Sequence, residues 1–199
     1  MRVNRDQHRP IPRPRKRATR ERRESQMSDA ANFIRRETLR DGRLIEIRAL
    51  RPDDELDMLA ALEETSAQSL QRRFFVTKRH FSERERAFFM EPDFRSHVAL
   101  VACTDDAGRS TIIGGGRYVM SEPGRAETAF VVIDAWQGCG IGGLLTGHLI
   151  AIAREAGLTE LTAEVLSDNA AMLRVFKKFG FTPATTCEPG VIHMTLKLT

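Results

Sequence analysis

Four glycines fall within the six residues 138–143, GCGIGG, which follow Gln137. Before them lies ETAFVVI (residues 127–133), typical of a strand, and after them an apolar run typical of a helix. A helix N-terminus has unpartnered N–H groups and a partial positive charge. Glycines at this point let an anion contact those N–H groups, so the pattern predicts a phosphate-binding loop. The alternative is that the glycines allow tight packing between strand and helix.

The kind of phosphate ligand is less determined by the spacing. No Lys-Ser/Thr pair follows the loop, which excludes the mononucleotide P-loop pattern. Gly138, Gly140 and Gly143 satisfy G-x-G-x-x-G, and Glu164 stands 21 residues after the last glycine, so a nicotinamide dinucleotide is one hypothesis. The strand before the loop closes an apparent antiparallel meander, which argues against that hypothesis because dinucleotide sheets are parallel there.

The elements that must position this loop alternate between strand-like and helix-like patterns. The prediction is an α/β (α+β) fold with a mixed central sheet flanked by helices, because a three-strand meander lies between the helices. Predicted strands cover residues 43–50, 97–103, 110–120, 127–133, 160–166 and 191–198. Predicted helices lie within residues 52–64, 66–75, 82–89, 143–156 and 169–179.

The positive charge is concentrated at the N-terminus. Residues 1–30 carry a net charge of +6, whereas the whole chain carries +4, so residues 31–199 are slightly acidic. We expect the basic segment to be disordered because it has few large apolar residues. It is interpreted as an arm for an acidic or nucleic-acid partner, as a solvated extension, or as a segment preceding a true start at Met27.

Composition also bears on location. Three widely spaced cysteines form neither a disulfide framework nor a metal-ligand set, and no stretch is long and apolar enough to span a bilayer. No apolar signal core is present at the N-terminus. The expectation is a cytoplasmic protein with no membrane partner.

Three spaced motifs in residues 40–199 resemble the GNAT superfamily of N-acetyltransferases. Gln137, Gly140 and Gly142 match its loop, Gln/Arg-x-x-Gly-x-Gly/Ala, while EIRALRPDDELDMLAAL and SDNAAMLRVFKKFGF are similar to its first strand–helix and fourth-helix segments. The resemblance implies a GNAT domain over residues 31–199 that uses acetyl-CoA and no metal. RPDDELDMLAALEETSAQSLQRRFF is further similar to bacterial Pat-type protein lysine acetyltransferases.

The resemblance implies a set of cofactor-binding residues. Backbone N–H groups of the loop would hold the pyrophosphate, and a backbone N–H of the preceding strand would meet the thioester carbonyl. Asn169 would bond the pantetheine arm, although it could also simply cap a helix. The implied residues are Val131, Val132, Gln137, Gly138, Cys139, Gly140, Ile141, Gly142, Gly143 and Asn169.

Glu127 is the candidate catalytic base, chiefly because the matching glutamate of Pat-type domains has that role. A lysine amine is mostly protonated at neutral pH, so acetyl transfer needs a group that accepts its proton. Strand alternation places Glu127 on the same face as Ala129 and Val131. The alternative is a strand-edge glutamate paired with Arg125 or exposed to solvent.

Other polar candidates have weaker support. The tyrosine that many family members use as general acid corresponds to Phe176, and the only tyrosine is Tyr118. A thiol can leave without strong protonation, so this difference does not preclude activity. Cys139 could accept an acyl group, but a passive loop position is favoured; His97 and His193 are interpreted as packing or surface residues without metal-ligand spacing.

The acceptor is the least determined part of the hypothesis. Acetyl-CoA-dependent N-acetylation of a protein lysine is favoured, and a polyamine or amino acid is the alternative within the class. The remaining alternatives are a nicotinamide-binding oxidoreductase and an acetyl-CoA-sensing module. Arg72, Arg73 and Lys78 could attract an acidic partner surface, but a solvated helix face is favoured.

Overall fold

The computed structural model describes residues 30–74, 81–106, 108–184 and 189–198. Eight strands in these residues form one sheet in the order β1-β2-β3-β4-β5-β6-β8-β7. Only β5 and β6 pair in parallel, so the sheet is mixed, as predicted. The strands are β1 (Ile34–Thr38), β2 (Leu44–Ala49), β3 (His97–Asp106), β4 (Arg109–Glu122), β5 (Arg125–Val132), β6 (Glu160–Leu166), β7 (Thr182–Pro183) and β8 (Val191–Lys197).

Five α-helices in the described residues cover the two faces of the sheet. They are α1 (Glu55–Glu63), α2 (Ala67–Phe74), α3 (Glu83–Met90), α4 (Ile141–Glu155) and α5 (Ala170–Lys178). Helix α1 packs on β4 and α2 on β5, while α4 packs on β3, β4 and β5 and contacts α5. Ser82 is the N-cap of α3 in a capping box, because its hydroxyl accepts from Glu85 N while the Glu85 carboxylate accepts from Ser82 N.

Two strands were not predicted. Strand β1 pairs with β2 through a turn at Asp41–Gly42, where Gly42 has a φ of 87°. Asp-Gly is a strong hairpin signal, since glycine adopts positive φ without strain. Strand β7 is a two-residue pairing with β8 at the far edge. The basic segment 1–29 and Lys78 lie outside the described residues.

The three glycines of β4 permit a close approach in the centre of the sheet. A Cβ on Gly116 would lie 2.6 Å from the Phe130 ring, so a larger residue would displace that ring from β5. The ladder between β3 and β4 shifts register at Ala102/Cys103, beside Gly114. Glycines inside a strand often mark a bulge or a close backbone approach, and both are present in β4.

An ion pair closes the corner between β2 and α1. The guanidinium of Arg48 donates to both carboxylate oxygens of Asp54 at 2.7 Å each, and both side chains are buried. The Asp54 carboxylate also accepts from Arg51 N at 2.7 Å. Burial by itself raises the pKa of Asp54, but these hydrogen bonds outweigh it and the net pKa is lowered. We term this arrangement the Arg48–Asp54 corner.

Candidate active site

Strands β5 and β6 separate where the candidate base lies. Their parallel ladder runs from Arg125↔Glu160 to Glu127↔Thr162 and has no paired residues beyond that point. The C-terminal half of β5 therefore diverges from β6 and leads directly to the glycine loop. A parallel pair that opens in this way leaves backbone groups of β5 available to a ligand.

Glu127 lies at the opening and is not paired with Arg125. Arg125 instead bonds Glu160, with Nε 2.5 Å from Oε1. Partial burial raises the pKa of Glu127, and the nearby Glu164 carboxylate raises it further, whereas Arg73 and His193 lower it. The pKa of Glu127 is raised overall, so its carboxylate accepts a proton more readily than an ordinary glutamate does.

Glu164 and His193 stand beside Glu127 on the neighbouring strands. They are register partners on β6 and β8, and His193 Nδ1 lies 3.4 Å from Glu164 Oε1. Glu164 is therefore placed with the candidate base rather than near the glycine loop as a ribose ligand. The interpretation of His193 as a packing or surface residue did not include this contact with Glu164.

The glycine loop leaves a row of backbone donors open. Gly138 and Gly140 have φ values of 77° and 101°, which favour glycine, and Gly140 is the N-cap of α4 without a side-chain cap. Among the described residues, the N–H groups of residues 138–143 have no acceptor. A Cβ on Gly142 would meet nothing within 4 Å, so tight packing does not explain that glycine. These donors and this space fit a phosphate group.

Gln137 has a different role from the glycines. Its backbone N–H donates to Asp134 O at 3.2 Å, and its side-chain nitrogen donates to Val132 O, Asp134 Oδ1 and Ser69 Oγ. Asp134 also accepts from the Ser69 hydroxyl at 2.6 Å and from Ser66 N at 3.3 Å. This network joins the start of α2 to the residue that precedes the glycine loop. The Gln137 side chain therefore fixes the position of the loop and is not free to bind a ligand.

Arg43 reaches the loop from the β1–β2 turn and was not among the residues predicted from sequence. Its guanidinium lies 3.9 Å from the centre of the Trp136 ring and donates to Cys139 Sγ at 3.2 Å. It also pairs with Asp41 at 2.6 Å. Cys139 is thus held by an arginine, and the described residues place no histidine in hydrogen-bond contact with it.

Asn169 caps α5, since its side chain accepts from Met172 N at 3.2 Å. Phe176, at the position of the family's tyrosine, is buried on α5 with its ring 5.9 Å from that of Phe130. Tyr118 is also buried, and this burial raises the pKa of its hydroxyl further above the ordinary value. Neither residue supplies a general acid at the opening.

A pocket lies on the face of the sheet that bears Glu127. Its walls include apolar side chains of α1 and α3 together with Ala129 and Val131 of β5. Two half-buried arginines, Arg73 of α2 and Arg117 of β4, also line it. The interpretation of Arg73 as part of a solvated helix face is therefore wrong, because α2 packs on β5 and turns Arg73 toward the sheet. Arg117 carried no signal in the sequence.

Burial lowers the pKa of Arg73 to about 10 and that of Arg117 to about 9, and the charge of Arg73 contributes to the second shift. Both groups remain cationic at neutral pH. No cluster of three or more metal-ligating side chains occurs in the part of the chain that the structure describes. No helix of the described residues combines the length and apolar character needed to cross a bilayer.

Comparisons with known proteins agree with this architecture. The profile of the Acetyltransferase (GNAT) family matches residues 59–181. Acetyltransferase Pat of Mycolicibacterium smegmatis is 31% identical over 144 residues, which are 71% of this chain and 42% of that protein. Acetyltransferase PA5475 of Pseudomonas aeruginosa is 30% identical over 146 residues, which are 73% of this chain and 78% of that protein.

Among solved structures, the GNAT domain of S. lividans PAT superposes with a TM-score of 0.75 at 32% identity, covering 82% of this chain and 96% of that chain. The chain spans less than half the length of the mycobacterial relative. The antiparallel pairing of β4 with β5 is incompatible with the dinucleotide hypothesis. The opened strand pair, the glycine loop and the match across most of the chain lead to one conclusion: the chain belongs to the GNAT family of acetyltransferases.

Proposed function

We propose that the protein transfers an acetyl group from acetyl-CoA to an amine, with a protein lysine as the acceptor and Glu127 as the base. The observation that carries the proposal is the position of Glu127, at the point where β5 and β6 separate. The glycine loop lies at the far end of β5 and the pocket lies on the Glu127 face of the same strand.

We assign the following roles in coenzyme binding and acetyl transfer to groups of the chain. The open N–H groups of residues 138–143 bind the diphosphate, and the network of Gln137 and Asp134 keeps the loop in position. A backbone N–H of β5 near Val132 stabilises negative charge on the thioester oxygen. When bound, acetyl-CoA supplies the activated acetyl carbon that the amine attacks.

Glu127 receives the proton that the acceptor ammonium must lose, directly or through water. A lysine amine has an unperturbed pKa near 10.4, so most acceptor molecules arrive protonated. The negative charges of Glu127 and Glu164 attract such a cation to the opening. As the new C–N bond forms, the C–S bond breaks and the thiolate leaves. Because a thiol is a moderately good leaving group, a buried Phe176 in place of tyrosine is compatible with turnover.

Lysine suits the site because it combines a cationic end with an aliphatic stem that can lie on the apolar walls of the pocket. A polyamine suits it less well, because several of its positive charges would stand near Arg73 and Arg117. Two predictions from the sequence remain predictions: that the basic segment 1–30 is an arm for an acidic or nucleic-acid partner, and that the protein is cytoplasmic.

The test is transfer of labelled acetyl from acetyl-CoA to lysine-containing peptides, with spermidine and free amino acids as competing acceptors. We expect labelled peptide and no labelled spermidine. Calorimetric titrations with acetyl-CoA and with NAD accompany it, and heat is expected with acetyl-CoA alone. Binding of acetyl-CoA without transfer to any amine would support a sensing module instead.

A further inference from the structure

The pocket beside Glu127 contains a cation that the fold leaves without a carboxylate. Arg117 donates through one terminal nitrogen to Phe89 O at 3.2 Å and shares a 3.1 Å contact with His97 Nε2. Its guanidinium lies 4.8 Å from the centre of the Phe89 ring. Among the described residues, neither its second terminal nitrogen nor its Nε has an acceptor, and no acidic side chain pairs with it.

The other partner of Arg117 is neutral. Burial lowers the pKa of His97 to about 4, and the positive charge of Arg117 acts in the same direction, against a small opposing effect of Asp93. His97 therefore presents a lone pair to Arg117 near neutral pH and supplies no negative charge. This contact orients the guanidinium without neutralising it.

The described lining of the pocket is also unbalanced in charge. It includes the guanidiniums of Arg73, Arg86 and Arg117 and the carboxylate of Glu55. Glu55 Oε1 lies 3.9 Å from Arg86, and the charge of Glu127 acts on Arg73, so Arg117 is the arginine of this lining that no described carboxylate neutralises. A cation withdrawn from water without a counter-charge is costly, and that cost is recovered when an anion binds.

Strand register sets the distance between Arg117 and the candidate base. Arg117 pairs with Ala129 and Val119 pairs with Glu127, so Arg117 and Glu127 are diagonal neighbours on one face of the sheet. Diagonal neighbours have side chains that begin roughly 7–8 Å apart. One acceptor molecule can therefore place an amine at Glu127 and an acidic group at Arg117.

We propose that Arg117 binds a carboxylate of the acceptor, so that the preferred acceptor carries an acidic group close to the amine that is acetylated. The inference rests on the proposed function in one respect, the presence of the acceptor amine at Glu127. The planar guanidinium suits a carboxylate because its remaining donors can meet both oxygens. The carboxylate belongs either to a free amino acid or to an acidic residue next to a lysine in a protein.

The experiment compares acceptors that differ only in this charge. Peptides with Glu beside the lysine are paired with otherwise identical Gln peptides, and free amino acids with their amides. In the wild-type protein we expect the charged member to have a kcat/KM about tenfold higher or more. The pair that shows the preference identifies the source of the carboxylate. Equal kcat/KM within every pair would overturn the proposal while leaving acetyl transfer established.

The deciding variant is Arg117→Met, which keeps an unbranched chain of similar length in an apolar wall. It should reduce the preference to about onefold. Arg109→Met is the matched control, because it removes an arginine from the same strand at a side chain that is 82% exposed. Should Arg117→Met not fold, Arg117→Gln serves instead, because it removes the charge and keeps a polar side chain. A preference unchanged from the wild type in a folded variant contradicts the proposal.

A binding measurement separates this inference from the proposed function. Glutarate added to the full chain with saturating CoA should raise the midpoint of thermal unfolding, whereas the neutral diamide glutaramide should not. The glutarate effect should be lost in Arg117→Met and kept in Arg109→Met. Glutarate stabilisation without acetyl transfer would uphold the anion site and reject the enzyme; no stabilisation of the wild-type protein would reject the anion site.

Discussion

Two arginines of the sheet, the buried Arg48 and the half-buried Arg117, have contrasting partners. At the Arg48–Asp54 corner, both terminal nitrogens of the guanidinium meet a buried carboxylate at 2.7 Å. In the pocket, Arg117 meets a carbonyl and a neutral imidazole. The first arginine is satisfied by the fold, whereas two donors of the second have no acceptor among the described residues. The comparison indicates that Arg48 stabilises the fold, whereas Arg117 is available to the pocket beside Glu127.

The largest expected effect concerns the site. Glu127→Gln removes the proton acceptor while preserving size, so kcat should fall by about 10²–10⁴. The Kd for acetyl-CoA, measured by calorimetry, should stay within about twofold, because the proposed diphosphate site is the glycine loop, which does not include Glu127. A variant with wild-type kcat would remove Glu127 from the mechanism.

The pH profile sharpens this prediction. Glu127 acts only when deprotonated, and its pKa is raised, so kcat/KM should rise with pH through a value above 4.5. Glu164→Gln removes a charge that raises the pKa of Glu127, so this rise should move to lower pH. A profile that moves to higher pH in Glu164→Gln would contradict the assignment.

At the Arg48–Asp54 corner, the opposite response is expected. Asp54→Ala leaves the buried Arg48 with only a 3.9 Å contact to the Glu46 carboxylate, which should lower the free energy of unfolding by about 3 kcal/mol. The measurement is denaturant unfolding, and kcat per folded molecule should be unchanged. Asp53→Ala in the same turn is the control, since that side chain is exposed and its loss should cost little. Similar losses from both variants would mean that the ion pair contributes nothing special.

The next prediction concerns the neutral state of His97, the imidazole that contacts Arg117. Its pKa is about 4 in the fold against 6.5 for the free residue, so the unfolded chain binds a proton that the fold rejects. The stability that the neutral His97 contributes is fully present above pH 6.5. As the pH falls from 6.5 toward 4, the free energy of unfolding decreases, because the unfolded chain takes up a proton and the folded chain does not. Over that window the loss amounts to roughly 3 kcal/mol.

His97→Gln should therefore flatten the dependence of unfolding free energy on pH between 6.5 and 4, measured by denaturant titration at several pH values. His193→Gln, which changes a histidine that is 31% exposed, is the control variant. An unchanged slope in His97→Gln would mean that His97 titrates normally and does not present a neutral ring to Arg117.

The smallest expected effect is at the glycine loop. Gly142→Ala adds a methyl group in open space at one of the residues with unpartnered N–H groups, so it should weaken acetyl-CoA binding by about tenfold. Stability should not fall, because alanine favours helix. Gly147→Ala, one turn and a half along the same helix, would place its Cβ in ordinary contact with Phe179 and should leave affinity unchanged. Equal affinities for the two variants would place the diphosphate elsewhere.

The elements that sequence could predict are those with local signals. The capping box of Ser82 and Glu85 marked the start of α3, and alternation marked β6 at Glu160–Leu166. Strand β1 was missed because IRRET is an edge strand with almost no buried side chains and so no apolar alternation.

In the candidate site, too, the features with local sequence signals could be predicted and the contacts between distant residues could not. Its glycine loop is contiguous, so residues 138–143 could be recognised from spacing. Arg43 meets Cys139 across 96 positions, and Arg117 meets His97 across 20, through strand register that no short window contains. The environment of Glu127 likewise depends on Glu164 of another strand and on Arg73 of a helix. Such contacts follow from tertiary packing and are invisible to periodicity.

Trp136 is the only tryptophan of the chain, and it lies beneath the Arg43 guanidinium immediately before the glycine loop. The emission of this single indole consequently originates at one place, beside the glycine loop that we propose binds acetyl-CoA. Optical titration can thus follow occupancy in the unmodified protein without any attached dye. The hairpin that carries Arg43 makes the same signal sensitive to events at the edge of the sheet.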